Sequence, residues 1–273
     1  MSTTDRQIMT TAPADLFAGA AYYFARYQAD YPPAMFDFLT QNYLSGREPA
    51  VLLDLGCGTG QISVPLARFA DEVIAVDPDQ GMIDEARQYA ARSGARNVSF
   101  VTGKSEELGL DIGPFSLVTI AGAFHWMDRE RVLKYLEKVA AHDCAIAVIS
   151  RHRSNCSPDD WWLEQLAYTE AFWGGFFPAG SEGIRPALKV ANGVILARSA
   201  FSDIQDKSFP YEHHWDLDSL VGYILSTSKA CPGVLGDRRP AFEDGLRSRL
   251  SAMSPTGTFI ERGVASLLLA ARP

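Results

Sequence analysis

Short apolar runs alternate with amphipathic stretches along most of this chain. The apolar runs predict strands at about 50–55, 72–77, 98–101, 116–121, 145–149, 206–215 and 264–271. Apolar residues at helical spacing predict helices at about 34–44, 60–69, 129–142, 217–228 and 240–253, and one ending near 92. Strands that alternate with helices in this way predict an α/β fold, with a doubly wound, mostly parallel sheet covered by helices on both faces.

The first strand runs into a glycine-rich turn. An acid, Asp54, lies near the end of the strand, and Gly56, Gly58 and Gly60 follow at every second position. Glycines let the backbone turn sharply and let a ligand lie against it. The next helix points its free N–H groups into the same gap. The pattern predicts a nucleotide-type site, although the spacing differs from the Gly-x-Gly-x-x-Gly of dinucleotide sites.

Two further turns follow at the same predicted edge of the sheet. The second strand ends in Asp77, about 20 residues after the glycine turn, where a carboxylate can accept both hydroxyls of a ribose. The third strand leads into the turn Gly103-Lys104-Ser105-Glu106-Glu107-Leu108.

Together, these three pieces closely resemble the class I S-adenosylmethionine (SAM) methyltransferases. The resemblance implies SAM as cofactor, S-adenosylhomocysteine as product, and a Rossmann-like seven-stranded sheet whose last strand is antiparallel between strands five and six. In that family the glycine loop lies against the methionine portion of SAM, and the preceding acid helps to hold the loop and the amino group. Lys104 replaces an acid that is usual in relatives. The cofactor-binding residues implied are Asp54, Gly56, Cys57, Gly58, Thr59, Gly60, Asp77, Pro78, Met82, Ser105, Glu106 and Ala121.

An aromatic segment precedes the first strand. Its residues Phe24-Ala25-Arg26-Tyr27 and Tyr31-Pro32 resemble a signature of one small-molecule branch, which includes the trans-aconitate methyltransferase-like proteins. In that branch the segment folds over the SAM site and lines the acceptor pocket, which implies acceptor contacts from Tyr23, Arg26 and Tyr27. The alternative is an aromatic helix face that packs on the core.

The same branch shares Phe124-His125-Trp126, directly after the fourth strand. In this fold the end of that strand faces the transferring methyl group. His125 is therefore the first candidate for a catalytic base, since its unperturbed pKa of ~6.5 suits neutral pH. His152, at the end of the fifth strand, is the second candidate. A base is needed only for an acceptor that arrives protonated, and the alternative is that His125 bonds the backbone while Trp126 fills the core.

The other histidines and the cysteines predict no metal site, because none has metal-ligand spacing. His213 and His214 lie on the sixth strand with opposite facings, so at most one can face the site. His142 is expected to be a solvated cation at a helix C-terminus.

From about residue 154 the composition becomes aromatic and acidic, which predicts a helical lid over the acceptor. The acceptor-binding candidates on this side are Trp126, Trp162, Phe172 and Trp173. Aromatic faces combined with carboxylates attract cations, so an amine acceptor is expected, such as an amino sugar or another cationic natural product methylated on N or O. The alternatives are a solvated acidic face, a phenolic or polyketide acceptor, or a carboxylate acceptor held by Arg26, Arg151 and Arg153.

The predicted division is an N-terminal tail with aromatic capping helices at 1–48, a SAM-binding core at 49–153, a lid at 154–200, and the C-terminal part of the core at 201–273. With 273 residues, a net charge of −8 and no basic cluster, a nucleic-acid partner is not expected. No apolar run approaches the ~20 residues that span a bilayer, and the N-terminus lacks a signal core. We therefore expect a cytoplasmic monomer or homodimer that acts on a small molecule. A nicotinamide-dependent oxidoreductase and a non-catalytic SAM-binding protein are the rival hypotheses.

Overall fold

The fold is built on one seven-stranded sheet. The computed structural model describes residues 17–109, 113–154, 160–174 and 190–273. The strands are β1 (Val51–Leu55), β2 (Glu72–Asp77), β3 (Val98–Thr102), β4 (Phe115–Ala121), β5 (Ala140–Arg153), β6 (Asp203–Asp216) and β7 (Thr258–Ala271). Their order is β3-β2-β1-β4-β5-β7-β6, and β7 alone runs opposite to the other six strands. This confirms the predicted Rossmann-like sheet and the position of its last strand.

Ten α-helices flank the sheet in the described part of the chain. They are α1 (Ala21–Tyr27), α2 (Pro33–Tyr43), α3 (Ser63–Ala67), α4 (Gln80–Ser93), α5 (Arg129–Val139), α6 (Trp161–Phe172), α7 (Asn192–Ala197), α8 (Leu217–Leu225), α9 (Pro232–Leu235) and α10 (Arg239–Met253). No helix among the described residues is long and apolar enough to cross a membrane.

The sheet buries both of its faces, as a doubly wound fold requires. All five residues of β1 are buried, and neighbouring side chains point to opposite layers. Leu52 belongs to the apolar cluster under α2, which includes Met35. Leu53 belongs to the opposite cluster, with Leu136 of α5. The alternation of layers keeps β1 central and leaves its carboxyl end free for the glycine turn.

Helix α3 begins at Ser63, later than the pattern at 60–69 predicts. Pro65 has no N–H and is tolerated only in the first turn of a helix, so a late start was expected on this ground. The consequence is a longer loop between β1 and α3.

The predicted helix at 129–142 is wrong at its C-terminal end, because α5 stops at Val139 and β5 starts at Ala140. The chain joins the sheet at this point, because Ala140 already pairs with Phe115 of β4. The guanidinium of Arg272 donates to the carbonyl oxygens of Glu137, Ala140 and Ala141 around the same end. Of the three, Glu137 belongs to the last turn of α5, whose carbonyls have no partner within the helix. The expectation for His142 is therefore also wrong, since it is an exposed residue of a strand rather than a helix-terminal cation.

Strands β5, β6 and β7 continue past the edge at which the other strands end. Ala121, the last residue of β4, pairs with Ile149, so residues 150–153 have no neighbour on that side. They pair with β7 instead, and β7 pairs with β6 as far as Asp216. We call residues 150–153, 208–216 and 258–266 the three-strand extension. Helices α6, α8 and α10 pack on one face of it through Trp161, Leu220 and Phe242.

The predicted lid at 154–200 contains two described helices with different surroundings. Helix α6 packs on the extension, whereas Ile195 and Leu196 of α7 join the core cluster beside α5. Arg129 of α5 reinforces this contact by donating to the carbonyl oxygen of Val190 at 2.9 Å. The boundaries of the four predicted regions stay a prediction.

Candidate functional site

The loop between β1 and α3 requires its glycines. Gly56, Gly58 and Gly60 have φ angles of +66°, +53° and +88°, in the left-handed region that other residues rarely adopt. A Cβ on Gly56 would also overlap the Cβ of Ala123, in the turn after β4. The loop therefore turns sharply and stays in close contact with the end of β4.

Asp77 ties this loop to the end of β2. Its Oδ2 accepts a hydrogen bond from the N–H of Gly58, and its Oδ1 accepts one from the N–H of Asp79, both at 2.9 Å. Burial raises the pKa of Asp77, and the two backbone donors act in the opposite direction. Each carboxylate oxygen keeps a further lone pair, so the group can still accept hydroxyl donors.

Asp54 is almost completely buried beneath the loop. Its two oxygens accept hydrogen bonds from the hydroxyls of Ser63 and Thr119, each at 2.7 Å. Burial raises the pKa of Asp54 to about 6, while these hydrogen bonds oppose the rise. The side chain thereby connects β1, α3 and β4 directly below the ligand-facing edge.

A pocket opens against the loop and helix α1 closes over it. The residues that line it are Phe24, Tyr31, Asp54, Gly56, Cys57, Gly58, Gln61, Ile62, Ala121 and Arg151. The side chain of Gln61 donates to the carbonyl oxygen of Phe24 at 3.3 Å. The Phe24 ring lies so close that a Cβ on Gly58 would be 3.4 Å from it. The aromatic segment thus folds over the loop, as the resemblance implied.

The three residues of α1 predicted to contact the acceptor have protein partners here. Tyr23 accepts a hydrogen bond from Arg239 of α10. Arg26 forms an ion pair with Glu85 of α4 at 3.2 Å. Tyr27 lies against Gly222 of α8, where there is no room for a Cβ. These contacts hold α1 in place, and the predicted acceptor contacts remain predictions.

Four further residues that the resemblance assigns to the cofactor lie beyond Asp77. Met82 is buried with Phe17 in a small apolar cluster near the start of α4, and Pro78 is exposed just before that helix. Ser105 is buried, and Glu106 accepts a hydrogen bond from the N–H of Asp128 at 2.7 Å. The Glu106 contact was not foreseen from the sequence, because a side chain-to-backbone bond over 22 residues leaves no local pattern.

Two other residues of the loop are buried in it. Cys57 is an unoxidised thiol, and burial raises its pKa. The hydroxyl of Thr59 is buried without a hydrogen-bond partner. A buried hydroxyl of this kind costs free energy unless a ligand or a water satisfies it.

The two predicted catalytic histidines have different positions. His125 lies half-buried in a short 3₁₀ turn directly after β4, with its ring 4.8 Å from that of Trp126. The Trp126 ring makes an edge contact with Phe17 at 5.9 Å. His152 is exposed, and strand alternation turns it to the face opposite Arg151, which lines the pocket. Only His125 therefore lies close to the loop edge.

A buried polar cluster on the three-strand extension was not predicted. Glu261 accepts hydrogen bonds from the hydroxyl of Tyr211 at 2.7 Å and from the indole of Trp215 at 3.2 Å. The Arg153 side chain lies 4.0 Å from Glu261, and its Nε and Nη1 are buried without hydrogen-bond partners. Polar residues at alternating positions of β6 and β7 were the one feature of the sequence that could have indicated this cluster. The same pattern is equally typical of a strand at an exposed sheet edge.

His213 belongs to the same face of the extension, whereas His214 is exposed and pairs with Glu212 at 2.8 Å. The opposite facings predicted for the two residues are confirmed. Burial lowers the pKa of His213, and Glu261 acts in the opposite direction.

The aromatic residues of α6 are largely used in packing. The Phe172 ring lies 5.1 Å from that of Phe242, and the Trp173 indole donates to the carbonyl oxygen of Lys229 at 3.3 Å. Trp162 lies 4.9 Å from the Arg153 guanidinium. Glu164 forms an ion pair with Arg249 at 2.7 Å. The predicted lid at 154–200 also contains Phe176, Phe177, Glu182, Asp159 and Cys156, which lie outside the described residues.

In the parts of the chain that the structure describes, no group of three metal-ligating side chains comes together.

The fold and the loop define a Rossmann-like domain with a nucleotide-type site at the carboxyl ends of β1 and β2. Residues 52–142 match the family described as "Methyltransferase domain". The prediction of a methyltransferase domain with SAM as its cofactor is confirmed for this segment.

Curated relatives agree with this class. An uncharacterized methyltransferase of Mycobacterium tuberculosis is 32% identical over 123 residues, which are 45% of this chain and 46% of the relative. A protein of Dictyostelium discoideum named as a methyltransferase is 24% identical over 173 residues, which are 57% of this chain and 63% of the relative. The chain thus spans between about half and just under two thirds of the relatives' lengths. The trans-aconitate-like branch is not confirmed.

Solved structures share the fold over most of the chain. A protein from Anaeromyxobacter dehalogenans described as a type II methyltransferase aligns with a TM-score of 0.62 at 23% identity, covering 90% of this chain and 98% of that one. The [4+2]-cyclase SpnF aligns with a TM-score of 0.51 at 14% identity, covering 95% and 93%. At these identities the likeness concerns the fold alone.

Proposed function

We propose that this protein is a SAM-dependent methyltransferase that acts on a small molecule. The observation that carries the proposal is the hydrogen bond between the glycine loop and Asp77, at neighbouring carboxyl ends of a parallel sheet. It lies inside the segment that matches a methyltransferase domain. SAM, when bound, supplies an electrophilic methyl group on a sulfonium.

The residues of the site fit this cofactor. Gly56, Cys57 and Gly58 line the pocket in which the methionine portion would lie, and Thr59 is a further loop residue of the proposed cofactor site. Asp77 has the free lone pairs to accept ribose hydroxyls. Met82 provides a polarizable apolar contact for the adenine ring, with Ser105 and Glu106 in the turn after β3. Asp54, Gly56, Cys57, Gly58, Gly60, Pro78 and Ala121 complete the proposed cofactor site.

Positioning and exclusion of water are the main catalytic contributions of this chain. Methyl transfer is an in-line displacement, which gains most from holding the reacting atoms at near-attack distance. Phe24 covers the loop on one side, and Trp126 with Phe17 covers the turn after β4. His125 accepts a proton where the acceptor is a hydroxyl or an ammonium.

The acceptor lies, in this proposal, between the loop edge and the three-strand extension. Most of the charged groups considered for acceptor recognition form ion pairs within the protein: Glu164 of the predicted lid pairs with Arg249, and Arg26 pairs with Glu85. Arg153 lies beside Asp160 and Glu261. Neither an amine nor a carboxylate acceptor gains support from these contacts, and both stay predictions. So do the natural-product role, the absence of a nucleic-acid partner, the cytoplasmic location and the monomeric or homodimeric state.

Two measurements test the proposal. Calorimetry with S-adenosylhomocysteine and with NAD distinguishes the cofactor classes, and preferential binding of NAD would revive the oxidoreductase alternative. Incubation with labelled SAM and a panel of amino sugars, phenols and dicarboxylic acids, read by product mass, then tests catalysis. Binding of S-adenosylhomocysteine without any product, together with a copurifying partner, would favour the non-catalytic alternative.

A further inference from the structure

The pocket at the glycine loop carries one charge of each sign among its described lining residues. These are Asp54, beneath the loop, and Arg151, near the end of β5. Asp77 is not part of the lining, although it contacts the loop from the other side. The pocket therefore corresponds to the half of the site that the methionine portion of SAM would occupy, rather than to the ribose half.

Arg151 is held in this pocket by neutral groups. Its Nη1 donates to the carbonyl oxygen of Ala29 at 2.6 Å, and its Nη2 donates to the Oε1 of Gln28 at 2.8 Å. The side-chain amide of Gln28 donates in turn to the hydroxyl of Ser226, directly after α8, at 2.7 Å. The guanidinium also lies 4.8 Å from the centre of the Tyr31 ring. The side chain is thus oriented from several directions without losing its charge to an ion pair.

No carboxylate among the described residues forms an ion pair with Arg151. The other two arginines that the sequence brought into the site do have carboxylate partners, since Arg26 pairs with Glu85, and Arg153 pairs with Asp160 and Glu261. A half-buried guanidinium that faces a pocket is a strong site for a carboxylate, because the charge-assisted hydrogen bonds match the planar fork. The amino acid end of SAM carries the one carboxylate of that cofactor.

We propose that Arg151 binds the α-carboxylate of the methionine portion of SAM. The inference rests on the proposed function and assigns a residue to the cofactor that the sequence associated only with an acceptor. Asp54 also lines this pocket, and its negative charge favours the cofactor's ammonium. The pair thereby matches the zwitterionic end of the cofactor and fixes its direction in the loop.

The test compares SAM with decarboxylated SAM, which keeps the sulfonium and the ammonium but lacks the carboxylate. Both ligands are titrated by calorimetry, without an acceptor, into the wild-type protein and into Arg151→Met and Arg151→Lys variants. The wild type is expected to prefer SAM by at least about tenfold, the order of one charge-assisted hydrogen bond. Arg151→Met should lose that preference while keeping its affinity for decarboxylated SAM, and Arg151→Lys should keep part of it.

Arg262→Met is the control, because it removes an exposed arginine of the neighbouring strand β7, which pairs with Glu212 at 2.7 Å, and should leave both affinities unchanged. An equal loss for the two ligands in Arg151→Met would overturn the proposal, since it would reflect damage to the contacts with Ala29 and Gln28. An unchanged preference for SAM would overturn it as well. If the wild type binds neither ligand, the proposed function itself fails, and the two failures are thereby distinguished.

Discussion

The carboxylate of Asp77 accepts a hydrogen bond from the backbone N–H of Gly58, across 2.9 Å between Oδ2 and N. This bond joins the end of β2 to the middle of the glycine loop. The second oxygen is held by the N–H of Asp79, so the carboxylate plane has a fixed orientation. The shape of the loop and the proposed recognition of a ribose consequently depend on the same side chain.

Replacing Asp77 with alanine should weaken the binding of S-adenosylhomocysteine at least about tenfold, which corresponds to about 1.4 kcal/mol. The variant loses the proposed ribose acceptor and releases the Gly58 N–H at the same time. Calorimetry measures the affinity, and circular dichroism checks that the fold is intact.

The control for Asp77→Ala is Asp71→Ala. Asp71 also accepts a hydrogen bond from a backbone N–H, that of Ala50 at 2.8 Å, but at the opposite end of β1. Its removal should leave the affinity unchanged. Equal affinities in the two variants would remove Asp77 from the binding site.

Replacing Gly56 with alanine should damage the site more than the same change at Gly94. Both glycines have positive φ angles, +66° and +72°, so each variant meets the backbone cost of about 1–2 kcal/mol. Only at Gly56 would the new Cβ also overlap a neighbour, Ala123, whereas Gly94 has open space. We expect a larger fall in the free energy of unfolding and a loss of cofactor binding for Gly56→Ala alone. Equal losses in urea titrations would show that the contact with Ala123 yields easily.

The local patterns were sufficient to predict the core of the fold. The run from Val51 to Leu55 and the glycines after it determine a buried strand and a turn by composition alone. The position of Asp77 was also predictable, because one helix and one strand separate it from the glycine turn.

The parts that were missed depend on contacts between distant residues. At the end of α5, the chain is bound by Arg272, which lies more than 130 residues away along the sequence. Tyr23 and Arg26 bind partners on α10 and α4, which are distant in sequence. Without those partners in view, the aromatic and basic character of the two residues suggested a pocket. Glu261 is buried because residues of three strands surround it. In a strand whose polar and apolar residues alternate, the sequence predicts that an acid is exposed.

The pH dependence of folding should carry a signature of Asp54. Its pKa is about 6 in the folded protein, where burial disfavours the charged form, against about 3.9 in an unfolded chain. As the pH rises from about 4 to about 6, the unfolded state releases this proton first, so the free energy of unfolding falls, by about 3 kcal/mol in total. The Asp54→Asn variant has no such proton, and the difference between wild type and variant should change over this window and level off above it.

Urea titrations at each pH measure the difference in the free energy of unfolding between wild type and Asp54→Asn. The contributions of the other carboxyl groups are the same in both proteins and cancel in this difference. Asp143→Asn is a useful control of opposite sign, because a hydrogen bond from Arg47 lowers the pKa of Asp143. Its contribution to stability is present above the unfolded pKa and is lost as the pH falls. Parallel wild-type and Asp54→Asn curves between pH 4 and 6 would contradict the raised pKa.

Once the acceptor panel has identified a methylated product, the roles of the two candidate bases can be tested separately. His125 lies half-buried after β4, whereas His152 is exposed on the face of β5 opposite Arg151. His125→Ala should therefore lower kcat strongly for a protonated acceptor, by the roughly 10²–10⁴-fold that a general base contributes, while the affinity for SAM stays the same. His152→Ala should change neither quantity. Turnover of His125→Ala within about twofold of the wild type would mean that the transfer relies on positioning and that His125 is structural.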